Sequence, residues 1–497
     1  MRFLYWLVFS VIVWVIYTQL PFHQDEFLHF HALAYQNPNF ALNQFKEGFA
    51  AYEKFFPGGF SVYFPFLYTG NLQGILWSPF YAMLPILEAK VVYSVISLLV
   101  ILGLILRIFR ITGLGQWFLF LCIPLYVAVL RDAGPVNVAL IVFMVSLFLV
   151  EQMSNPHRFA WVYVCILALL WCLAFYDKLF FIYLMPGILV FSFARLPVRA
   201  WLNPGFLGKM GVAIGILGLF VLAYVFADIR VRQYQGTELF DAQIPFLKAI
   251  TTSDSMTWLE DRRLVCVTLL AQFDFSFYVL RHLEYTDFVQ SKVWGGLNWF
   301  GISFMLLLLL EARHADRKAK WYLGSFFVLV ITFLVLGKIR FGHHTVFLFL
   351  PLLGFWFDGR RPTYGKALLV WILCNVCLTG VNVFGANPHV SLQTNYRAVV
   401  GKTKLAQPVI VNFDSWNYYY LRNLDADQAI VTWVDLRDSV QTNRLFTLAK
   451  KMRRPIVNVS GSQEVWNQNW LLIQNRVDSV SVDLTFPANP ISTLRIK

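Results

Sequence analysis

Two adjacent carboxylates and three imidazoles share one short stretch, Phe22-His23-Gln24-Asp25-Glu26-Phe27-Leu28-His29-Phe30-His31, just after an apolar run that ends at Leu20-Pro21. On a helix, Asp25 and His29 would fall on one face with Glu26 beside them, while Phe27, Phe30 and His31 point elsewhere. Such a set can take up and return a proton. Asp25, Glu26 and His29 are also candidate ligands for a divalent cation, hard or zinc, although their spacing matches no metal motif. The same residues would equally suit a solvated helix that marks a membrane boundary. Which reading holds depends on the elements that surround them.

Those elements are overwhelmingly apolar. The 497-residue chain is 58% hydrophobic and only 14% charged, which excludes an ordinary soluble domain and indicates a polytopic membrane protein. Its net charge of +13 is spread over short clusters between apolar runs, so it reads as a topology signal and not as a nucleic-acid surface. Of the six cysteines, Cys374 and Cys377 have redox spacing, but inside an apolar helix they read as packing residues, and no disulfide framework is visible.

Residues 3–20 read as an uncleaved signal anchor with its N-terminus inside. Residues 21–88, broken by Gly, Pro and aromatics, form a first outer loop. Further apolar runs near 89–106, 116–130, 135–150, 159–176, 179–194, 210–227, 297–310, 321–337, 344–357 and 367–384 bring the expectation to about eleven transmembrane helices. Alternate connections carry Arg107/Arg110, His157/Arg158, Arg195/Arg199/Lys209, Arg313/Arg317/Lys318/Lys320 and Arg360/Arg361/Lys366, and the positive-inside rule makes these cytoplasmic. Residues 228–296 then become a long outer loop, with the size of a lid over a site or of a passive amphipathic connection. Within it, 264–280 reads as an interfacial or re-entrant helix, because counting it as a span would invert every later loop and because it contains Asp274.

After Phe384 the sequence turns polar, with short β-rich runs at Val409-Ile410-Val411, Ala429-Ile430-Val431, Pro455-Ile456-Val457 and Leu471-Leu472-Ile473. The expected organisation is thus a transmembrane domain, 1–384, followed by a small α/β or mixed domain, 385–497, on the outer, extracytoplasmic side. No P-loop or dinucleotide fingerprint and no internal repeat is present.

On this topology one face collects Asp25, Glu26, His29, Asp132, Lys178, Lys338, Arg340, His343 and His344 beside helix ends. Cations retained in outer loops run against the topology rule, and an anionic ligand would account for them. Carboxylates on one side and cations on the other suit a reaction in which a hydroxyl or amine loses a proton while a phosphate departs. Asp25 would be the base, and Lys178, Lys338 and Arg340 would meet the phosphate at headgroup depth. Tyr63, Phe64, Trp77 and Tyr81 could stack on a sugar or simply belong to an interfacial aromatic belt.

The arrangement resembles the GT-C superfamily of membrane glycosyltransferases, in particular the branch of protein O-mannosyltransferases and lipid A aminoarabinose transferases. The resemblance is carried by Asp25-Glu26 after the first span, by Arg131-Asp132-Ala133, by Asp177-Lys178 through Met185-Pro186, and by Arg340-Phe341-Gly342-His343-His344 through Leu350-Pro351. It departs from the branch where an Arg-Tyr is expected and Arg340-Phe341 stands, and where Asp132 directly follows Arg131. It implies inverting transfer from a polyprenyl-phosphate sugar to a saccharide, lipid or protein acceptor. In that scheme Asp25, Glu26 and Asp132 are catalytic, and Lys178, Lys338, Arg340, His343 and His344 hold the lipid phosphate. A bacterial inner membrane, with the site and the C-terminus on the periplasmic side, is the expected location. A flippase or transporter of a lipid-linked saccharide, or an oligosaccharide ligase, would also need cations near a phosphate, but transporters place such groups near the midplane.

Overall fold

The computed structural model describes residues 10–11, 72, 76, 80, 83–84, 86–109, 121–132, 135–154, 160–177, 179–235, 266–280, 298–336, 346–358, 363–385, 409–413, 429–434, 436–437, 439–460, 463–483 and 491–497. They fall into two compact units, one of helices up to Gly385 and one of mixed structure from Val409 onward.

The helical unit contains α1 (Ile86–Phe109), α2 (Ile123–Asp132), α3 (Pro135–Ser154), α4 (Ala160–Asp177), α5 (Met185–Arg195) and α6 (Pro204–Gln235). These are followed by α7 (Phe275–Leu280), α8 (Trp299–Ala312), α9 (Arg317–Leu336), α10 (Phe349–Phe357) and α11 (Gly365–Gly385). Among the described residues five helices are long and apolar enough to cross a membrane: Val92–Phe109, Val136–Ser154, Ala160–Asp177, Pro204–Ala223 and Arg317–Val335. Phe181–Arg195, Trp299–Ala312, Val346–Phe357 and Gly365–Val381 are shorter apolar helices.

Several boundaries differ from the sequence expectation. The described part of the run near 116–130 includes the short helix α2, with Pro124 in its first turn, where a missing N–H costs nothing. The run near 210–227 is part of a 32-residue helix that extends to Gln235, well into the stretch read as outer loop, where neither Gly nor Pro occurs between Gly218 and Gly236. Helices α5 and α10 share a construction. Each follows a tight 3₁₀ segment, Leu179–Leu184 and Val346–Leu348, and each has a proline near its start, Pro186 and Pro351. Both pack on α9. Glycines permit the close approach: a Cβ on Gly187 would collide with Leu329, and one on Gly354 would lie 2.7 Å from the Tyr322 ring. Ser325 also donates to the Gly187 carbonyl at 2.8 Å, tying α9 to α5.

Cys374 and Cys377 are free and exposed on α11, so they are not packing residues. Helical geometry gives the reason, since Trp371, Ile372 and Asn375 take the inward face of that helix.

The second unit is a five-stranded sheet ordered β2-β1-β3-β5-β4, built from β1 (Val409–Phe413), β2 (Ala429–Trp433), β3 (Ile456–Val459), β4 (Val477–Asp483) and β5 (Ile491–Ile496). Strands β1, β2 and β3 are parallel, with Ile410 opposite Ile430 and Ile456, while β5 runs antiparallel to both β3 and β4. Helices α12 (Ser439–Met452) and α13 (Gln463–Ile473) cover one face, where Leu445, Phe446, Trp466 and Ile473 meet Ile410, Ile456 and Leu494. Leu471-Leu472-Ile473, expected as a strand, closes α13. Trp466 and Ile473, seven residues apart, are buried on one helical face, and Leu471 and Leu472 turn outward. Asn412 pins the unit internally, donating to Asn458 at 2.7 Å and accepting from the Val434 N–H at 2.9 Å.

Candidate functional site

The geometry of the helical unit is best built from the end where its charges pair. Arg195, the last residue of α5, donates to Glu151 at the end of α3 at 2.8 Å and to the Ile108 carbonyl at the end of α1 at 2.7 Å. The guanidinium nitrogen that donates to Ile108 also lies 3.8 Å from Asp358, which caps α10. Asp358 also takes a 2.8 Å ion pair from Lys318 and a short hydrogen bond from Tyr322, both in the first turns of α9. Beside this staple lies a cavity of about 630 Å³ lined by Gly103, Leu106, Arg107, Phe148 and Gln152 together with Glu151 and Arg195. Five helix ends therefore meet at one point, through a network in which Asp358 and Tyr322 are buried and Arg195, Glu151 and Lys318 are half-buried. Sequence reading assigned Arg195 and Lys318 only to topology; Glu151 and Asp358 carried no signal at all.

If α1, α3, α5 and α10 finish here and α9 starts here, their other ends lie at the opposite end of the bundle. That end receives the finish of α2 at Asp132, joined to the start of α3 at Pro135, where Asn137 donates back to the Val129 carbonyl at 3.3 Å. It receives the finish of α4 at Asp177 and the 3₁₀ segments that begin α5 and α10. Asp132 is the last residue of α2, described by its backbone. Asp25, Glu26, His29, Lys178, Lys338, Arg340, His343 and His344 lie outside the described residues. Tyr63, Phe64, Trp77, Tyr81 and most of 228–296 do as well.

Asp177 is the described acid at this end, and it is 1% exposed. Tyr93 of α1, hydrogen-bonded to Ser97, is near enough to feel its charge, and Ser94 is buried on the same helix. A carboxylate held in an apolar bundle is costly, which makes Asp177 a candidate for function. Its sequence signal was visible, an acid closing an otherwise apolar run, but it was read only as the neighbour of Lys178. Among the described residues no group of three or more His, Cys, Asp or Glu could hold a metal ion.

A second buried polar group lies within the bundle. The stretch 266–280 is broken: helix 266–271 stops at Gln272–Asp274 and α7 resumes at Phe275. Asn375, near the middle of α11, accepts from the Phe275 N–H at 3.0 Å and donates to the Phe273 carbonyl at 2.6 Å, satisfying the backbone at the break. Asp274 accepts from the Ser276 N–H at 3.0 Å and from Asn298 at 3.2 Å. Asn298 in turn caps α8 through the Gly301 N–H at 2.8 Å. The hydrogen bonds of this clamp run to neighbouring protein groups, so the clamp holds the shape of the break.

No protein-family model matches the chain, and no curated protein matches it.

Proposed function

We propose that this protein is a membrane glycosyltransferase of GT-C type, with about eleven transmembrane helices. It moves a sugar from a polyprenyl-phosphate donor to a saccharide, lipid or protein acceptor on the extracytoplasmic face, where its C-terminal α/β domain also lies. Asp25 accepts the acceptor's proton, with Glu26 and Asp132 beside it. Lys178, Lys338, Arg340, His343 and His344 offset the charge that grows on the departing lipid phosphate. The observation that supports this reading is the gathering of the ends of α2 and α4, with Asp132 and Asp177, and the starts of α5 and α10 at the end of the bundle opposite the Arg195–Asp358 staple. Lys178 directly precedes the 3₁₀ segment of α5, and 338–344 precede that of α10, and in the proposed reading these cations gather at the same end.

The test is transfer of radiolabelled sugar from a panel of polyprenyl-phosphate sugars by the purified protein. Wild type is compared with Asp25→Asn and with the double variant Lys338→Ala/Arg340→Ala. Transfer by wild type and its loss in both variants, with unchanged thermal unfolding, is the expected result. Activity that survives Asp25→Asn sinks the base assignment.

A second reading, a carrier of a lipid-linked saccharide, draws on the helix break at Gln272–Asp274, since carriers use broken helices inside the bundle. The closed hydrogen bonding of Asp274 and Asn375 weighs against it. Lipid binding without transfer under every acceptor supplied would favour the carrier.

A further inference from the structure

The C-terminal unit concentrates charge at one edge of its sheet. Strands β3 and β4 start at this edge and β5 ends there, and both α12 and α13 finish at it. The Lys497 N–H donates to the Arg476 carbonyl at 3.2 Å, which joins the end of β5 to the turn after α13. The Arg476 guanidinium lies 4.4 Å from the centre of the Phe446 ring of α12, one helical turn from Lys450. The turn that follows α13 thus reaches over α12.

Helix α12 ends in Lys450, Lys451, Met452, Arg453 and Arg454, and these four cations form no ion pair among the described residues. Arg453 has a φ of 53°, a left-handed residue that closes the helix and lets the chain turn into β3. Arg476, Arg495 and Lys497 add to the same edge, against a single described side-chain carboxylate there, Asp478. In the last turn of α13, Leu471 and Leu472 are 67% and 57% exposed, and Met452 is exposed at the end of α12.

An exposed aliphatic pair at an edge where the described cations outnumber the described carboxylate fits a surface that is anionic at its outside and apolar just beneath. Helix C-termini attract cations, which explains one or two of them but not Leu471 and Leu472. We propose that this edge docks on an anionic lipid bilayer, with Leu471 and Leu472 among the headgroups and the basic residues on lipid phosphates. The chain leaves α11 at Gly385 and reaches β1 at Val409, so a bilayer that holds the apolar helices is always within tether length of the domain. This docking is independent of the chemistry proposed for the helical unit.

The test is lysine-modification footprinting by mass spectrometry on the full chain. The chain is placed in nanodiscs of phosphatidylcholine alone, in nanodiscs of phosphatidylcholine with an equal share of phosphatidylglycerol, and in neutral detergent. Lys450, Lys451 and Lys497 are expected to react about tenfold more slowly with phosphatidylglycerol present than in the other two settings. High salt and the variant Leu471→Asp/Leu472→Asp should each restore most of their reactivity. Equal reactivity in both lipid compositions overturns the proposal. Protection of the same size in detergent also overturns it, because the lysines would then be covered by protein. So does protection by soluble polyglutamate in phosphatidylcholine nanodiscs as strong as that by phosphatidylglycerol, which would assign the edge to acidic chains.

Discussion

Arg195 at the end of α5 and Asp358 at the end of α10 stand 3.8 Å apart, with Lys318 and Tyr322 of α9 bound to the same carboxylate. Two short helices that are separated by much of the chain are thus held against a third at their charged ends. Removing one partner leaves the others charged in a poorly solvated place, which costs about 3–5 kcal/mol where burial is high. Asp358→Ala should lower the unfolding temperature in detergent more than Lys318→Ala, because the Lys318 side chain is 39% exposed and its charge can be met by water. Arg195→Lys should recover only part of the loss of Arg195→Ala, since an ammonium cannot serve Glu151, Asp358 and the Ile108 carbonyl together.

Glycine contacts on the same helices give a graded series. A Cβ on Gly301 would meet the Leu270 backbone, which has nowhere to go, whereas one on Gly354 meets the Tyr322 ring, held by Asp358. A Cβ on Gly187 meets the apolar Leu329 side chain, which no hydrogen bond holds in place, and one on Gly380 meets nothing within 4 Å. Alanine at these positions should therefore destabilise in the order Gly301, Gly354, Gly187, Gly380, from about 3 kcal/mol to nearly zero, read by thermal unfolding.

The break in 266–280 depends on one amide. Asn375→Leu would leave the Phe275 N–H and the Phe273 carbonyl buried without partners, at about 1–3 kcal/mol each. Amide exchange in peptides covering 270–280 should accelerate more than tenfold in this variant, while peptides from α3 and α4 stay unchanged. Unchanged exchange at 270–280 would show that Asn375 does not hold the break.

Asp177 separates site from scaffold. If the end of the bundle that it occupies is where the lipid phosphate departs, Asp177→Asn should lower sugar transfer by about a hundredfold with little change in unfolding temperature. Asp274→Asn should do the reverse, weakening the fold and sparing the turnover of the protein that remains folded, because its carboxylate is engaged by Ser276 and Asn298.

Much of the helical framework was legible from local pattern. Apolar runs long enough to bury a helix are properties of neighbouring residues, and they anticipated α3, α4 and α9, whereas the interruption of 266–280 at Gln272–Asp274 was not read from them. The β-rich runs at Val409, Ala429 and Pro455 likewise coincide with β1, β2 and β3. Leu471-Leu472-Ile473 did not, because three apolar residues fit either a strand or one helical turn. Only the surface opposite them, where Trp466 and Ile473 reach Ile410 and Leu494, selects the helix. The ion pairs were invisible for the same reason. Arg195 and Glu151 are 44 positions apart, and nothing in the residues around either one encodes the other. Composition and periodicity are local sums, so they determine which segments become apolar helices. Which charge meets which depends on how those helices pack, and only the tertiary structure decided that Arg195, read from sequence as a mark of topology, closes the bundle.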